Sequence, residues 1–166
     1  PRQIAGSGWR RSGRIVARAL TVNASGGGAR ARHLCIEPYP PSDFNAPGAE
    51  LVTRPIEEFD IAPLLALGPC DILFIDSSHM IRPQGDVLFE MQEILPLLAS
   101  GVLVHIHDIF TPRDYADTLV RQHRVFWNEQ YLVEVFLAHN REFEVVLPLN
   151  HLWHAYLRTV EPACRR

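Results

Sequence analysis

CDILFIDSSHMIRPQGDVLFEMQEILPLLASGVLVHIHD, residues 70–108, decides the fold of this chain. Its two ends, CDILFID (Cys70–Asp76) and GVLVHIHD (Gly101–Asp108), are short, apolar or β-branched nearly throughout, and bounded by Gly or Pro. Strands covered on both faces of a parallel sheet have that composition. Between them Leu88, Met91, Leu95 and Leu98 recur at helical spacing, and Asp86 stands where an acid favours a helix N-terminus. Pro96 should end or bend that helix in its last turn. Strand, helix, strand of this length is a βαβ unit, and its crossover is expected to be right-handed.

The same rhythm continues on both sides. RHLCIEP (Arg32–Pro38) reads as a strand stopped by proline, ELVTRP (Glu50–Pro55) as a weaker one, and RIVARAL (Arg14–Leu20) as a helix ended by Gly26–Gly28. Downstream, NEQYLVEVFLAHN (Asn128–Asn140) offers Asn128 as an N-cap and an apolar face through Tyr131, Leu132, Val135 and Phe136. FEVVLP and HLWHAYL read as two closing strands, antiparallel neighbours. The pattern is α/β with an open, mostly parallel sheet. It is expected to form one domain over residues 1–160, with 161–166 as a tail.

Composition narrows the functional classes. The hydrophobic share is 47% and the charged share 21%, ordinary values for a soluble globular protein. A net charge of −3 gives no field that would draw nucleic acid or an anionic membrane. No apolar run approaches the ~20 residues that span a bilayer, and the N-terminus has no signal-peptide pattern. Cys35, Cys70 and Cys164 are odd in number and far apart, which argues against a metal knuckle or disulfide framework and for a reducing, cytoplasmic setting. Cys35 and Cys70 are expected to be buried thiols and Cys164 to lie in the tail. All 16 basic residues are arginine, so neither a Walker phosphate loop nor a Schiff-base lysine is available. The chain opens at Pro1 and reads as a fragment.

In open α/β sheets, ligands bind beyond the carboxyl ends of the strands. Four segments arrive there: GSGWRRSG (Gly6–Gly13), Glu37, Asp76 with His79, and His107 with Asp108. Gly6 and Gly8 around Ser7 lack the Cβ atoms that would keep a ligand from the backbone. A dinucleotide fingerprint wants a third glycine where Arg11 stands, which disfavours a nicotinamide or flavin. The Glu37 carboxylate suits two ribose hydroxyls, or else belongs to a solvated loop. Asp76 either caps the turn through Ser77 and Ser78 or faces a ligand. His105 and His107 alternate with Val104 and Ile106 and share one strand face, one of them as a structural histidine. Histidine beside aspartate at a strand end offers a general base, an orienting carboxylate or metal ligands in one place. Asp76 and Asp108 also offer oxygen ligands of the kind Mg²⁺ takes. Phe126, Trp127, Tyr131 and Phe136 read as core or as a lid.

Taken together, GSG, CIEPYP, FIDSSH and GVLVHIHDIF resemble the class I S-adenosylmethionine-dependent methyltransferases. With FWNEQYL added, they are similar to the family labelled methyltransferase domain 24, over about Arg2 to Pro148. The resemblance implies a Rossmann-like three-layer sandwich with a seven-stranded sheet whose last strand is antiparallel. It implies S-adenosylmethionine over Gly6, Ser7 and Gly8, with Glu37 on the ribose and Asp76 beside it. The methyl acceptor, a small molecule or saccharide hydroxyl, would then lie near Asp76, His79, His107 and Asp108. His107 or His79 would take the hydroxyl proton, with Asp108 and Asp76 orienting the base or holding Mg²⁺. A second reading, a degenerate and non-catalytic binding module, rests on the altered glycine motif. A nicotinamide-dependent reductase is weaker still, because a Tyr-x-x-x-Lys pair cannot exist without lysine.

Overall fold

The structure, a computed structural model, describes residues 1–8 and 12–164, with side chains up to residue 157. Trp9, Arg10 and Arg11 of the expected glycine loop lie outside the described residues. The chain forms two compact units, residues 1–78 with 82–107, and residues 79–81 with 108 onward.

The first unit is built on β1 (Gln3–Ser7), β2 (Arg32–Ile36), β3 (Ala49–Val52), β4 (Ile72–Ile75) and β5 (Leu103–Ile106). All pairings are parallel, and the order across the sheet is β3-β2-β1-β4-β5. The chain therefore starts at the centre, builds outward through β2 and β3, and returns past β1 to add β4 and β5. This reversal between β1 and β4 is the switch point at which open α/β sheets leave a crevice. Ile4, Ala5, Leu34, Cys35, Ile36, Leu73 and Ile75 are buried, as continuous apolar strands require.

The helix expected from RIVARAL is α1 (Ser12–Ser25), whose Val16 and Leu20 pack against Ile4 and Cys35. Gly27, with φ +86°, turns the chain out of it, and the Gly28 N–H donates back to the Asn23 carbonyl at 2.9 Å. A short helix, α2 (Ala62–Leu65), buries Leu64. The crossover helix between β4 and β5 is α3 (Asp86–Phe89). It continues as a π-turn over Glu90–Ile94 and tightens to a 3₁₀ turn over Leu95–Leu97. Pro96 has no N–H for a regular helical bond, so the element ends there as expected. The buried stripe is Val87, Glu90, Met91, Ile94 and Leu95, whereas Leu88 and Leu98 are only half-buried.

The second unit holds a π-turn over Thr118–Gln122 and two helices, α4 (Glu129–Ala138) and α5 (Leu149–Cys164). Asn128 precedes α4 but does not cap it; its Oδ1 accepts the Ile81 N–H at 2.5 Å. The largest correction concerns the chain end. Among the described residues the sheet has five strands, all parallel, and neither the seventh strand nor an antiparallel one is present. FEVVLP forms no strand, and Val145, Val146 and Leu147 stay exposed. HLWHAYL lies in α5, which runs to Cys164 where a tail was expected and kinks at Tyr156. The Pro148 carbonyl accepts the Leu152 N–H at 2.9 Å and so starts helical geometry where a strand would have to begin. Leu149, Trp153, Tyr156 and Leu157 then follow the helical period of 3.6 rather than the strand period of 2. Cys70 is exposed, not buried, because φ +67° places it in the turn that enters β4.

Candidate functional site

At the carboxyl end of β1 the backbone is drawn close to its neighbours. The Gly8 N–H donates to the Ile36 carbonyl at 3.1 Å, and the Asp76 N–H donates to the Ser7 carbonyl at 3.2 Å. A Cβ on Gly6 would lie 1.8 Å from the Phe74 carbonyl oxygen, and one on Gly8 only 1.5 Å from that of Asp76. Gly8 also has φ +75°. Both glycines are thus required by strand packing alone. β1 includes Gly6 and Ser7, so the strand runs further than the sequence suggested.

Ser7 is buried, and its hydroxyl donates to Glu90 Oε1. The Ser77 hydroxyl donates to Oε2 of the same carboxylate at 2.8 Å. Glu90, 1% exposed, thereby joins the end of β1 to the loop after β4. In that loop Asp86 accepts the Ser78 N–H at 2.8 Å and its hydroxyl at 2.6 Å. The Ser77–Ser78 turn is therefore held by Glu90 and Asp86, the role the sequence offered Asp76 as its structural alternative.

Asp76 faces His107 instead, with Nδ1 to Oδ1 at 3.5 Å. His107 is 44% exposed at its side chain and Asp76 21%. His105 shares the strand face, its ring centroid 6.0 Å from that of His107, and it stacks on Phe74 at 4.8 Å. Burial lowers the pKa of His105, and the neighbouring His107 lowers it further against the opposing pull of Asp76. Glu37, just past β2, is 4% exposed, and one carboxylate oxygen accepts the Tyr39 N–H at 2.9 Å. Among the described residues that is its only side-chain partner, so the second oxygen is uncommitted, which fits a ribose hydroxyl.

In the second unit His79 and Asp108 come together with a residue the sequence did not single out. His79 Nδ1 lies 2.8 Å from Glu129 Oε2, and Nε2 lies 3.8 Å from Asp108 Oδ2. His79 and Glu129 are buried, and the Trp127 ring packs on the imidazole at 4.5 Å. The His79 carbonyl accepts the N–H groups of Asn128 and Glu129, which ties it to the start of α4. His79 (φ +58°) and Asp108 (φ +53°) both hold left-handed backbone, rare for residues with a Cβ and costing about 1–3 kcal/mol each where it persists. A carboxylate on one imidazole nitrogen fixes the tautomer at the other, the arrangement of an oriented acid–base group.

Burial also pushes Tyr115 up to about 12, and its hydroxyl oxygen accepts the Gln130 N–H at 3.0 Å. Two surface cavities contain none of the residues expected from the sequence. One, of about 200 Å³, is lined by Arg113, Asn150, His151 and His154; the other, of about 410 Å³, by Leu20, Arg30 and His33.

Glu90 and Glu129 were the residues that sequence reading missed. Glu90 was legible, because it interrupts an apolar helical stripe, the one carboxylate between Val87 and Met91. Glu129 looked like an ordinary first-turn acid, and only the fold brings it to His79.

A family model described as methyltransferase domain matches residues 8–109, more than half of the chain. The chain belongs to that family. The match covers Gly8 through the HIHD segment and excludes FWNEQYL, so it is shorter than the resemblance read from the sequence. No curated protein and no solved structure matches the chain. The all-parallel sheet around a β1/β4 switch point is the Rossmann-like core in keeping with this methyltransferase domain. No helix among the described residues is long and apolar enough to cross a membrane.

Proposed function

We propose that this methyltransferase domain transfers a methyl group from S-adenosylmethionine to a hydroxyl oxygen of a small molecule or saccharide, in the cytoplasm. The observation that carries the reading is Glu37, a buried carboxylate with one uncommitted oxygen, two strands from the His107–Asp76 pair on the same sheet edge. Bound there, S-adenosylmethionine would supply a methyl group on a positively charged sulfur. Glu37 would hold the ribose, and Gly6, Ser7, Gly8 and Asp76 would line the floor beneath the cofactor. His107 would take the proton of the acceptor hydroxyl as that oxygen displaces the neutral thioether from the methyl carbon, and the Asp76 carboxylate would stabilise the resulting imidazolium. His79, oriented by Glu129 and next to Asp108, is the other candidate base of the reaction.

Asp76 and Asp108 carry carboxylate oxygens, the donors Mg²⁺ takes, so these residue types fit that ion. Either one would be a ligand for it, and the ion would lower the pKa of an acceptor hydroxyl. Activity lost in chelator and restored by Mg²⁺ is the test of that role.

One observation favours the rival reading of a non-catalytic module: strand packing by itself accounts for Gly6 and Gly8. Calorimetric titration of S-adenosylmethionine and S-adenosylhomocysteine separates the two. Binding of both ligands, lost in Glu37→Ala, supports the methyltransferase; a folded chain that binds neither leaves the binding module.

A further inference from the structure

We infer that Glu90 is a positioning residue that makes the sheet edge between β1 and β4 prefer a cationic ligand, the sulfonium donor, over its neutral thioether product. The inference rests on the cofactor reading above and deepens it.

Glu90 sits in the π-turn of the crossover helix, 1% exposed, and each of its carboxylate oxygens takes one hydroxyl, Ser7 on Oε1 and Ser77 on Oε2. Ser7 ends β1, and Ser77 follows Asp76 beyond β4, so the two hydroxyls flank the switch point. A serine hydroxyl has one proton to give. Both protons are spent on Glu90, and each hydroxyl oxygen is left with lone pairs only.

The orientation has an electrical consequence. Each O–H dipole has its hydrogen on the carboxylate and its oxygen turned away from it. Hydrogen bonds in series polarise one another, and a low-dielectric interior strengthens the effect. The negative charge of a carboxylate inside the fold is in this way carried outward to two oxygens at the ends of β1 and β4. A ligand with a positive sulfur gains from that field, and the same ligand without its methyl and charge does not. A purely structural glutamate would hold the two loops together equally for both ligands.

Titration of S-adenosylmethionine and S-adenosylhomocysteine into the full chain, Glu90→Gln and Ser77→Ala tests this. Glu90→Gln keeps the size and removes the charge, and should weaken the sulfonium ligand roughly five- to tenfold more than the thioether. Ser77→Ala leaves Glu90 in place and should shift the same ratio by about two- to threefold. It decides the matter alone if the glutamine variant fails to fold. An affinity ratio unchanged or reversed in the folded variants overturns the role of Glu90 and leaves the cofactor reading standing. A wild-type chain that binds neither ligand overturns both.

Discussion

The Asp76 carboxylate stands 3.5 Å from His107 Nδ1, joining residues that directly follow two paired strands, with Ile75 opposite Ile106. Replacing His107 by Ala is expected to lower kcat by about 10²- to 10⁴-fold, the usual worth of a general base. Asp76→Asn should lower it less. Steady-state kinetics on His107→Ala and His79→Ala decide which imidazole serves. A larger loss in His79→Ala would move the base to the Glu129-held histidine.

Glu129 and His79 form a buried pair at 2.8 Å. Truncating the acid takes the nearer carboxylate from a buried imidazole, and breaking a buried pair costs about 3–5 kcal/mol. Glu129→Ala should therefore lower unfolding stability by about 3 kcal/mol in urea, and Glu129→Gln by less. A change below about 1 kcal/mol in the alanine variant would mean that the pair carries little of the fold.

Gly8 combines φ +75° with a carbonyl oxygen 1.5 Å from where its Cβ would stand. Gly8→Ala must pull β1 and β4 apart as well as accept left-handed backbone, and should cost at least about 2 kcal/mol. Thermal denaturation reads this without any ligand. Wild-type stability would show that the strands separate without penalty.

Asp71 anchors the other end of the sheet. Its Oδ1 accepts the N–H groups of Arg2 and Gln3, at 2.7 and 2.8 Å, and its Oδ2 accepts that of Gly68 at 3.1 Å. Burial pushes its pKa up, but these three N–H groups lower it and leave the carboxyl below its ordinary range. A carboxyl lowered in the folded state stabilises above its unfolded value of about 3.9, and that contribution is lost as pH falls through the folded value. Acid unfolding followed by circular dichroism should become less steep below about pH 4 in Asp71→Asn, which has no such proton to take up. An identical acid limb in both proteins would assign the transition to other carboxylates.

The sheet was legible wherever both faces of a strand are apolar. LCI and ILFI are apolar throughout, as a covered strand needs, and the helical spacing from Leu88 to Leu98 shows the crossover. The chain end was misread because VVLP and LWHAYL satisfy strand composition, while the helix is set by Pro148 and by a period visible only over Leu149–Leu157. The site divides the same way. Glu37, Asp76 and His107 were singled out because they follow strands, and strand ends have a known meaning in this architecture. Glu90 and Glu129 act at long range, bonded to residues 83 and 50 positions away. Separation of that kind leaves no local pattern, and only an acid on an apolar stripe hints at it.

The π-turn of the crossover helix is, in terms of chain length, one residue more than an α-helical turn needs. An extra residue taken up in this wide turn leaves the helix on either side of it facing as before, so Val87 and Ile94 share the buried face with Glu90. Deleting one residue at exposed Gln92 or Glu93 would close the turn to an α-helical one without turning the flanking residues away, and substitutions there should be accepted freely. The same deletion in a regular stretch of helix would rotate everything beyond it by about 100°.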